Sequence, residues 1–273
     1  MAAESLSLEI TRHIPIHIGQ PDRVVLTMVG CGGTGSFLAL HLARLAYAGA
    51  GRRIEYQLTF VDPDRIEAKN VGRQNFTPAE IGRYKAEALA VRYSRAFGLS
   101  IHFYNEVFDA AHFVPAREGL NLVVGCVDNT AARREIDKAC RRSEGRNGHP
   151  LWWLDCGNHD RSGQVILGNQ IRKAPQINPL GFCTGLPLPS IQHPELIRRR
   201  SQRRHTCADD LLADVQSLMV NQAVAGWAAN YVYRLTVAHD LDCCATYFDL
   251  HTGTARSEYI IHPRSTRGGG ADV

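Results

Sequence analysis

"RVVLTMVGCGGTGSFLALHLARLAYAG", residues 23–49, decides the fold class of this chain. An apolar run ends in a cluster of glycines, and a stretch with helical spacing follows at 36–49. Gly30, Gly32 and Gly35 form a G-x-G-x-x-G turn between strand and helix. Glycines let the backbone approach a phosphate. The helix that follows presents free N–H groups and roughly half a positive charge.

The rhythm continues outward. "YQLTFVD" (56–62) reads as a second strand whose last residue, Asp62, can accept hydrogen bonds from ribose hydroxyls. A helix is expected at 80–97, a strand at 101–108, a short helix, a strand at 120–128 and a helix at 130–142. Strands alternating with helices indicate an α/β, Rossmann-like, doubly wound and mostly parallel sheet. From 151 the pattern changes. "LWWLDCGNHDRSGQVILGNQI" reads as a strand with a hairpin-like extension, and "CATYFDL" and "SEYIIH" as two closing strands, a C-terminal antiparallel extension. Between them stand a long loop at 172–206 and a long helix at 209–239. Trp152 and Trp153 lie in an apolar strand and belong to the core.

Composition narrows the function classes. Net charge is +4, and five arginines of it sit in "RRRSQRR" at 198–204, a solvated loop rather than the charged face of a nucleic-acid binder. No apolar run is long enough to span a bilayer, and "MAAESLSLEITRH" is not a secretory signal. Neither nucleic acid nor membrane is an expected partner. The eight cysteines lack a disulfide framework, so a reduced, cytoplasmic protein is expected. Twelve scattered histidines show no ligand spacing.

The glycine turn alone cannot separate NAD, FAD and ATP. "NVGRQNFTPAEIGRYKAE", residues 70–87, does more. Arg73 and Lys85 stand with Asn70 and Gln74 on a segment separate from the turn. A helix N-terminus already serves a dinucleotide pyrophosphate. Two further cations suit a triphosphate, whose charge grows at the leaving pyrophosphate. Asp128 ends the strand "LVVGCVD" at the same sheet edge, where a carboxylate suits Mg²⁺; it could equally cap the helix at 130. An NAD-dependent oxidoreductase would leave this segment unexplained.

"GCGGTGS", "VDPDRIEAKNVGRQNF", "IGRYKAE" and "CVDN", in that order, resemble the ThiF/MoeB/HesA superfamily, relatives of ubiquitin-activating enzymes. The resemblance covers residues 10 to 262. It implies one adenylation domain over 1–273: a nucleotide-binding half (10–150), a partner-binding half (151–262) with a mobile crossover at 172–206, and a flexible tail (263–273). It implies ATP-dependent adenylation of the C-terminal glycine carboxylate of a small ubiquitin-like β-grasp protein. The motifs bring Gly30, Gly32, Gly33, Gly35, Asp62, Asp64, Asn70, Arg73, Gln74, Lys85, Asp128 and Asn129 to the nucleotide, with Asp62 on the ribose, Asn70, Arg73, Gln74 and Lys85 on the phosphates, and Asp128 on Mg²⁺. Arg12, in "TRHI", is similar to the family's N-terminal arginine, which reaches into the partner subunit of a homodimer.

"HTCADDLL" (205–212) resembles the family segment that carries a catalytic cysteine, so Cys207 is a candidate to take the acyl group as a thioester and pass it to an E2-like acceptor. His205 and nearby arginines favour a thiolate there. The family's paired C-x-x-C zinc site lacks a counterpart, and zinc is not expected. On length and "HTCADDLL…VNQAVAG", members of the PRTRC gene clusters look most similar. The alternative is a nucleotide-binding module that docks a ubiquitin-like or sulfur-carrier protein without turnover.

Overall fold

The computed structural model describes residues 13–144, 150–198 and 219–261. Arg12, Cys207, His205 and the tail at 263–273 lie outside the described residues. Strands β1 (Arg23–Val29), β2 (Glu55–Val61), β3 (Ile101–Tyr104), β4 (Leu120–Gly125), β5 (Leu151–Asn158), β6 (Ser162–Gly168), β9 (Cys243–Asp249) and β10 (Thr254–Tyr259) form one eight-stranded sheet. Its order is β10-β9-β6-β5-β4-β1-β2-β3. Strands β3, β2, β1, β4 and β5 run parallel, and β6, β9 and β10 extend the sheet antiparallel. A small hairpin, β7 (Gln176–Ile177) with β8 (Cys183–Gly185), stands apart.

Helices α1 (Gly33–Ala50), α2 (Lys85–Phe97) and α5 (Val220–Tyr233) cover one face through Leu38, Leu42, Leu89 and Val224. Helices α3 (Thr130–Glu144) and α4 (Pro189–Gln192) cover the other through Ile136 and Ile191. The central strands bury both faces, which is why they read as near-continuous apolar runs. The adjacent tryptophans point to opposite faces: Trp152 joins the α1 side, Trp153 the α3 side. Both are core, as expected. No described helix is long and apolar enough to cross a membrane.

Several boundaries differ from the sequence reading. Helix α2 starts at Lys85, not at 80, because backbone bonds Lys85 N to Asp64 O, Ile66 N to Arg83 O and Gly82 N to Ile66 O tie 82–85 to residues 64–66, beyond the end of β2. The third strand stops at Tyr104, and no helix forms at 105–119, where Pro115 removes a helix donor. The uncovered sheet face there leaves a cavity of about 1270 Å³ over Thr27, Thr59 and Asn121. The stretch at 172–198 is not one long loop: it holds β7, β8, α4 and a 3₁₀ turn at Pro194–Leu196. Gln192 Nε2 donates to Leu167 O and Pro187 O, which fastens α4 to β6. The helix expected at 209–239 is described as α5 followed by a π-helical turn, Arg234–Ala238, and its earlier residues lie outside the described ones. The last two strands are Cys243–Asp249 and Thr254–Tyr259, each earlier than read.

Candidate active site

The order β3-β2-β1-β4-β5 puts a reversal of winding between β1 and β4, and ligands of such sheets bind beyond the carboxyl ends of those strands. Val29 pairs with Val61 of β2 and with Gly125 of β4, so all three strands end at one level. Their continuations are Gly30–Gly33, Asp62 and Asp128. The sequence motifs therefore converge because the register makes them.

The turn is tight for steric reasons. Gly30 has φ +92°, and a Cβ there would lie 2.5 Å from Cys126 O. A Cβ at Gly35 would lie 2.0 Å from Gly30 O, so α1 could not rest on the turn. Asp62 holds this loop: Oδ2 accepts Cys31 N–H at 2.6 Å and Oδ1 accepts Asp64 N–H at 2.8 Å. Burial pushes its carboxyl above the ordinary range, against those two hydrogen bonds and the Lys85 charge. A carboxylate has about four acceptor positions. Asp62 can thus serve the turn and still take a hydroxyl from a ligand.

The segment at 70–85 folds back onto α1. Asn75 accounts for this: its N–H donates to Ser36 Oγ, and its Nδ2 to Ser36 O and Tyr93 Oη. Asn70, buried, uses Oδ1 to accept Glu67 N–H and so shapes the bend. Arg73 donates from Nε to Lys69 O at 3.1 Å, which leaves its Nη pair for a ligand. Gln74 is 6% exposed, with Nε2 3.7 Å from the Cβ position of Gly32. Its buried Oε1 has no partner. An unpaired buried acceptor of this kind is costly and calls for a donor from outside the described residues. Lys85 Nζ reaches Asp64 Oδ2 at 2.7 Å.

Asp128 is exposed and does not cap α3. Asn129 does, with Oδ1 accepting Ala132 N–H at 2.8 Å. Its Nδ2 approaches Asp128 Oδ1 at 3.4 Å. Asp128 is thereby left as a solvated oxygen donor at the rim, the ligand type Mg²⁺ takes alongside phosphates and water. The residues present fit that ion.

Two groups escaped the sequence reading. Asn221 on α5 lies against the turn, its Oδ1 accepting Asn158 Nδ2–H at 2.5 Å and Thr34 Oγ at 3.4 Å. It stands 187 residues from Thr34, and no local signal marks it. Arg133 and Asp155 form a buried ion pair at 2.9 Å. Seven described cysteines, among them Cys31, Cys126, Cys183, Cys243 and Cys244, are free thiols.

Several known proteins share this chain's sequence or fold. It is 34% identical over 149 residues to ubiquitin-like modifier-activating enzyme 5 of Drosophila mojavensis, covering 50% of this chain and 34% of that protein. Its counterpart in Arabidopsis thaliana is 31% identical over 132 residues, covering 42% of this chain and 29% of that one. This chain thus spans about a third of the length of these curated relatives. A crystal structure of E. coli MccB with ATP superposes with a TM-score of 0.56 at 17% identity, over 87% of this chain and 64% of that one. PaaA gives 0.57 at 14% identity, over 89% and 66%. Those two likenesses show a shared fold. The model of the ThiF family matches residues 22–258. The protein whose strand ends gather these motifs at one edge belongs to the ThiF family.

Proposed function

We propose that this protein uses ATP to adenylate a carboxylate, and that the carboxylate is the C-terminal glycine of a small ubiquitin-like protein. The observation that carries the reading is the placement of Lys85 at the glycine turn: a buried cation whose charge acts on Cys31 and Asp62 at the C-terminal ends of β1 and β2. Family membership supports the same chemistry.

In the proposed reaction a carboxylate oxygen attacks the α-phosphorus of ATP. The new O–P bond forms as the bond to pyrophosphate breaks, giving an acyl adenylate. The carboxylate arrives ionised and needs no general base. Backbone N–H groups of the turn hold phosphate oxygens, while Arg73 and Lys85 neutralise charge growing on the leaving pyrophosphate. Asp128 would hold Mg²⁺, which when bound adds positive charge at the phosphates. Positioning does the rest.

Thioester formation on Cys207, with AMP as leaving group, is the proposed second step, followed by transfer to an E2-like acceptor. A homodimer fits the N-terminal arginine. In that dimer Arg12 would serve the other subunit's site, as the family resemblance implies. We place the protein in the cytoplasm.

Calorimetry with Mg·ATP and with NAD tests the reading on wild type and Lys85→Ala. Mg·ATP binding that weakens in the variant, with no NAD binding, is the expected result. NAD binding indifferent to Lys85 would overturn it. Pyrophosphate exchange then separates an enzyme from a docking module.

A further inference from the structure

Arg133 leaves the start of α3 and donates from Nε to Asp155 Oδ1 at 2.9 Å. Asp155 is fully buried on β5, and the arginine side chain is 11% exposed. Burying such a pair is costly unless every remaining lone pair and proton is matched. Here it is not: Asp155 Oδ2 and the neighbouring Trp153 Nε1 are both buried without partners. Burial pushes the Asp155 carboxyl above its ordinary value, while the charge and hydrogen bond of Arg133 pull it down. An apolar residue would fill this core position at less cost, so the carboxylate is explained by what it does to the arginine.

What it does is fix the guanidinium by one nitrogen and leave the fork open. Among the described residues the Nη atoms have no hydrogen-bond acceptor. Nη2 lies 3.6 Å from the Cβ position of Gly157 near the C-terminal end of β5, where the Gln164 side chain also packs at 3.2 Å. Asp155 shares the α3 face with Trp153 and Ile136, and Arg133 stands near the start of α3, five residues after Asp128. The fork thus lies on that face at the C-terminal ends of β4 and β5, the same edge of the sheet that carries the glycine turn.

Its side of the rim matters. Lys85 follows β2, whereas Arg133 sits over β5, with β1 and β4 between them. A displacement at phosphorus runs in line, so attacking and leaving oxygens occupy opposite sides of the phosphorus. If pyrophosphate leaves toward Arg73 and Lys85, the attacking carboxylate approaches from the β5 side.

Building on the adenylation reading, we infer that Arg133, positioned by Asp155, binds the carboxylate of the acyl substrate and presents one of its oxygens to the nucleotide. Arginine forks match carboxylates in two-point geometry. The cation also offsets the repulsion between two anions brought together. Asp155 is a positioning residue and touches no substrate.

The test uses two synthetic hexapeptides ending in Gly-Gly, one a free acid and one a C-terminal amide, titrated calorimetrically in the presence of a non-hydrolysable Mg·ATP analogue. Wild type is expected to prefer the acid by about tenfold or more, the lower end for hydrogen bonds to charged groups. Arg133→Lys keeps the charge and loses the fork. It should bring acid and amide to near equality while Mg·ATP affinity stays within about twofold. Asp155→Asn should narrow the preference with Arg133 intact. Melting curves accompany each variant, and if Asp155→Asn fails to fold, Arg133→Lys decides. No acid preference in wild type, or full preference kept in Arg133→Lys, overturns the inference. So does an equal loss of Mg·ATP and peptide, which would make Arg133 a nucleotide ligand. Failure of wild type to bind Mg·ATP would instead sink the adenylation reading, and the acid–amide comparison without nucleotide would still report on the fork.

Discussion

Lys85 Nζ lies 2.7 Å from Asp64 Oδ2, yet the lysine side chain is 8% exposed and the aspartate 64%. The same aspartate accepts the Lys85 backbone N–H at 2.9 Å. Asp64 therefore delivers the lysine twice, once through the main chain and once through the ammonium. Removing the ammonium leaves a solvated carboxylate behind, which costs little stability. Lys85→Ala should lower substrate-dependent ATP–pyrophosphate exchange by about 10²–10³-fold, the effect of losing one donor at developing charge. Its melting temperature should stay close to wild type. A large stability loss with near-normal exchange would make Lys85 a structural residue.

Asp128 and Asn129 are neighbours with separable tasks. Asn129→Ala removes the cap of α3 and should cost about 1 kcal/mol in denaturant unfolding. Asp128→Ala should leave unfolding unchanged and reduce Mg²⁺-dependent nucleotide binding instead. Chemical denaturation beside calorimetry at varied Mg²⁺ tells the two apart.

Gln74 offers a test with opposite signs. Its Oε1 is buried and unpaired, so replacement by an apolar residue of similar length removes a desolvated group. Gln74→Leu should hold or raise the melting temperature while weakening Mg·ATP binding. A variant that binds ATP as well as wild type would exclude Gln74 from the site.

Gly35→Ala should destabilise strongly. A Cβ 2.0 Å from Gly30 O forces α1 away from the turn, and overpacking of this kind typically costs about 1–3 kcal/mol or more. Thermal unfolding reads the stability, and nucleotide affinity should fall with it.

Acid sensitivity can be traced to one pair. Burial would raise the Glu80 carboxyl, but hydrogen bonds from Arg92 and Thr77 outweigh it and hold the group below the usual carboxylate range. A depressed carboxyl contributes stability above its unfolded value, about 4.3, and that contribution is lost as pH falls through the lower folded value. Glu80→Gln should therefore be less stable than wild type at pH 7, with the gap closing as pH drops below about 4. Melting curves between those conditions decide it.

The parallel half of the sheet was legible because its strands are apolar on both faces and its turns carry glycine. The gathering of Asp62, Arg73, Lys85 and Asp128 was legible through their motifs, although spacing alone does not say that Lys85 pairs with Asp64 or that Asn129 displaces Asp128 as the cap. Those facts depend on where α2 and α3 begin, and α2 begins late because residues 82–85 bond to residues 64–66, just after β2. Asn221, Arg133 and Asp155 were not legible. Each acquires meaning from a neighbour in space, on another element, far away in sequence.

The first described residues are pinned by the last. Ile14 N–H donates to Ile260 O, Ile16 N–H to Leu241 O, and His13 stacks on Tyr259 at 3.8 Å. On a ribosome these residues emerge early; Ile16 meets its bridge partner Cys183 only far downstream, and Leu241, Tyr259 and Ile260 come later still. The nucleotide half, whose parallel strands come from contiguous sequence, has its contacts available well before that. Contacts of such long sequence separation are slow to form. The order of synthesis thus makes closing the N-terminal residues onto the C-terminal strands a late event in biogenesis, and until it happens the end of β10 stays uncovered.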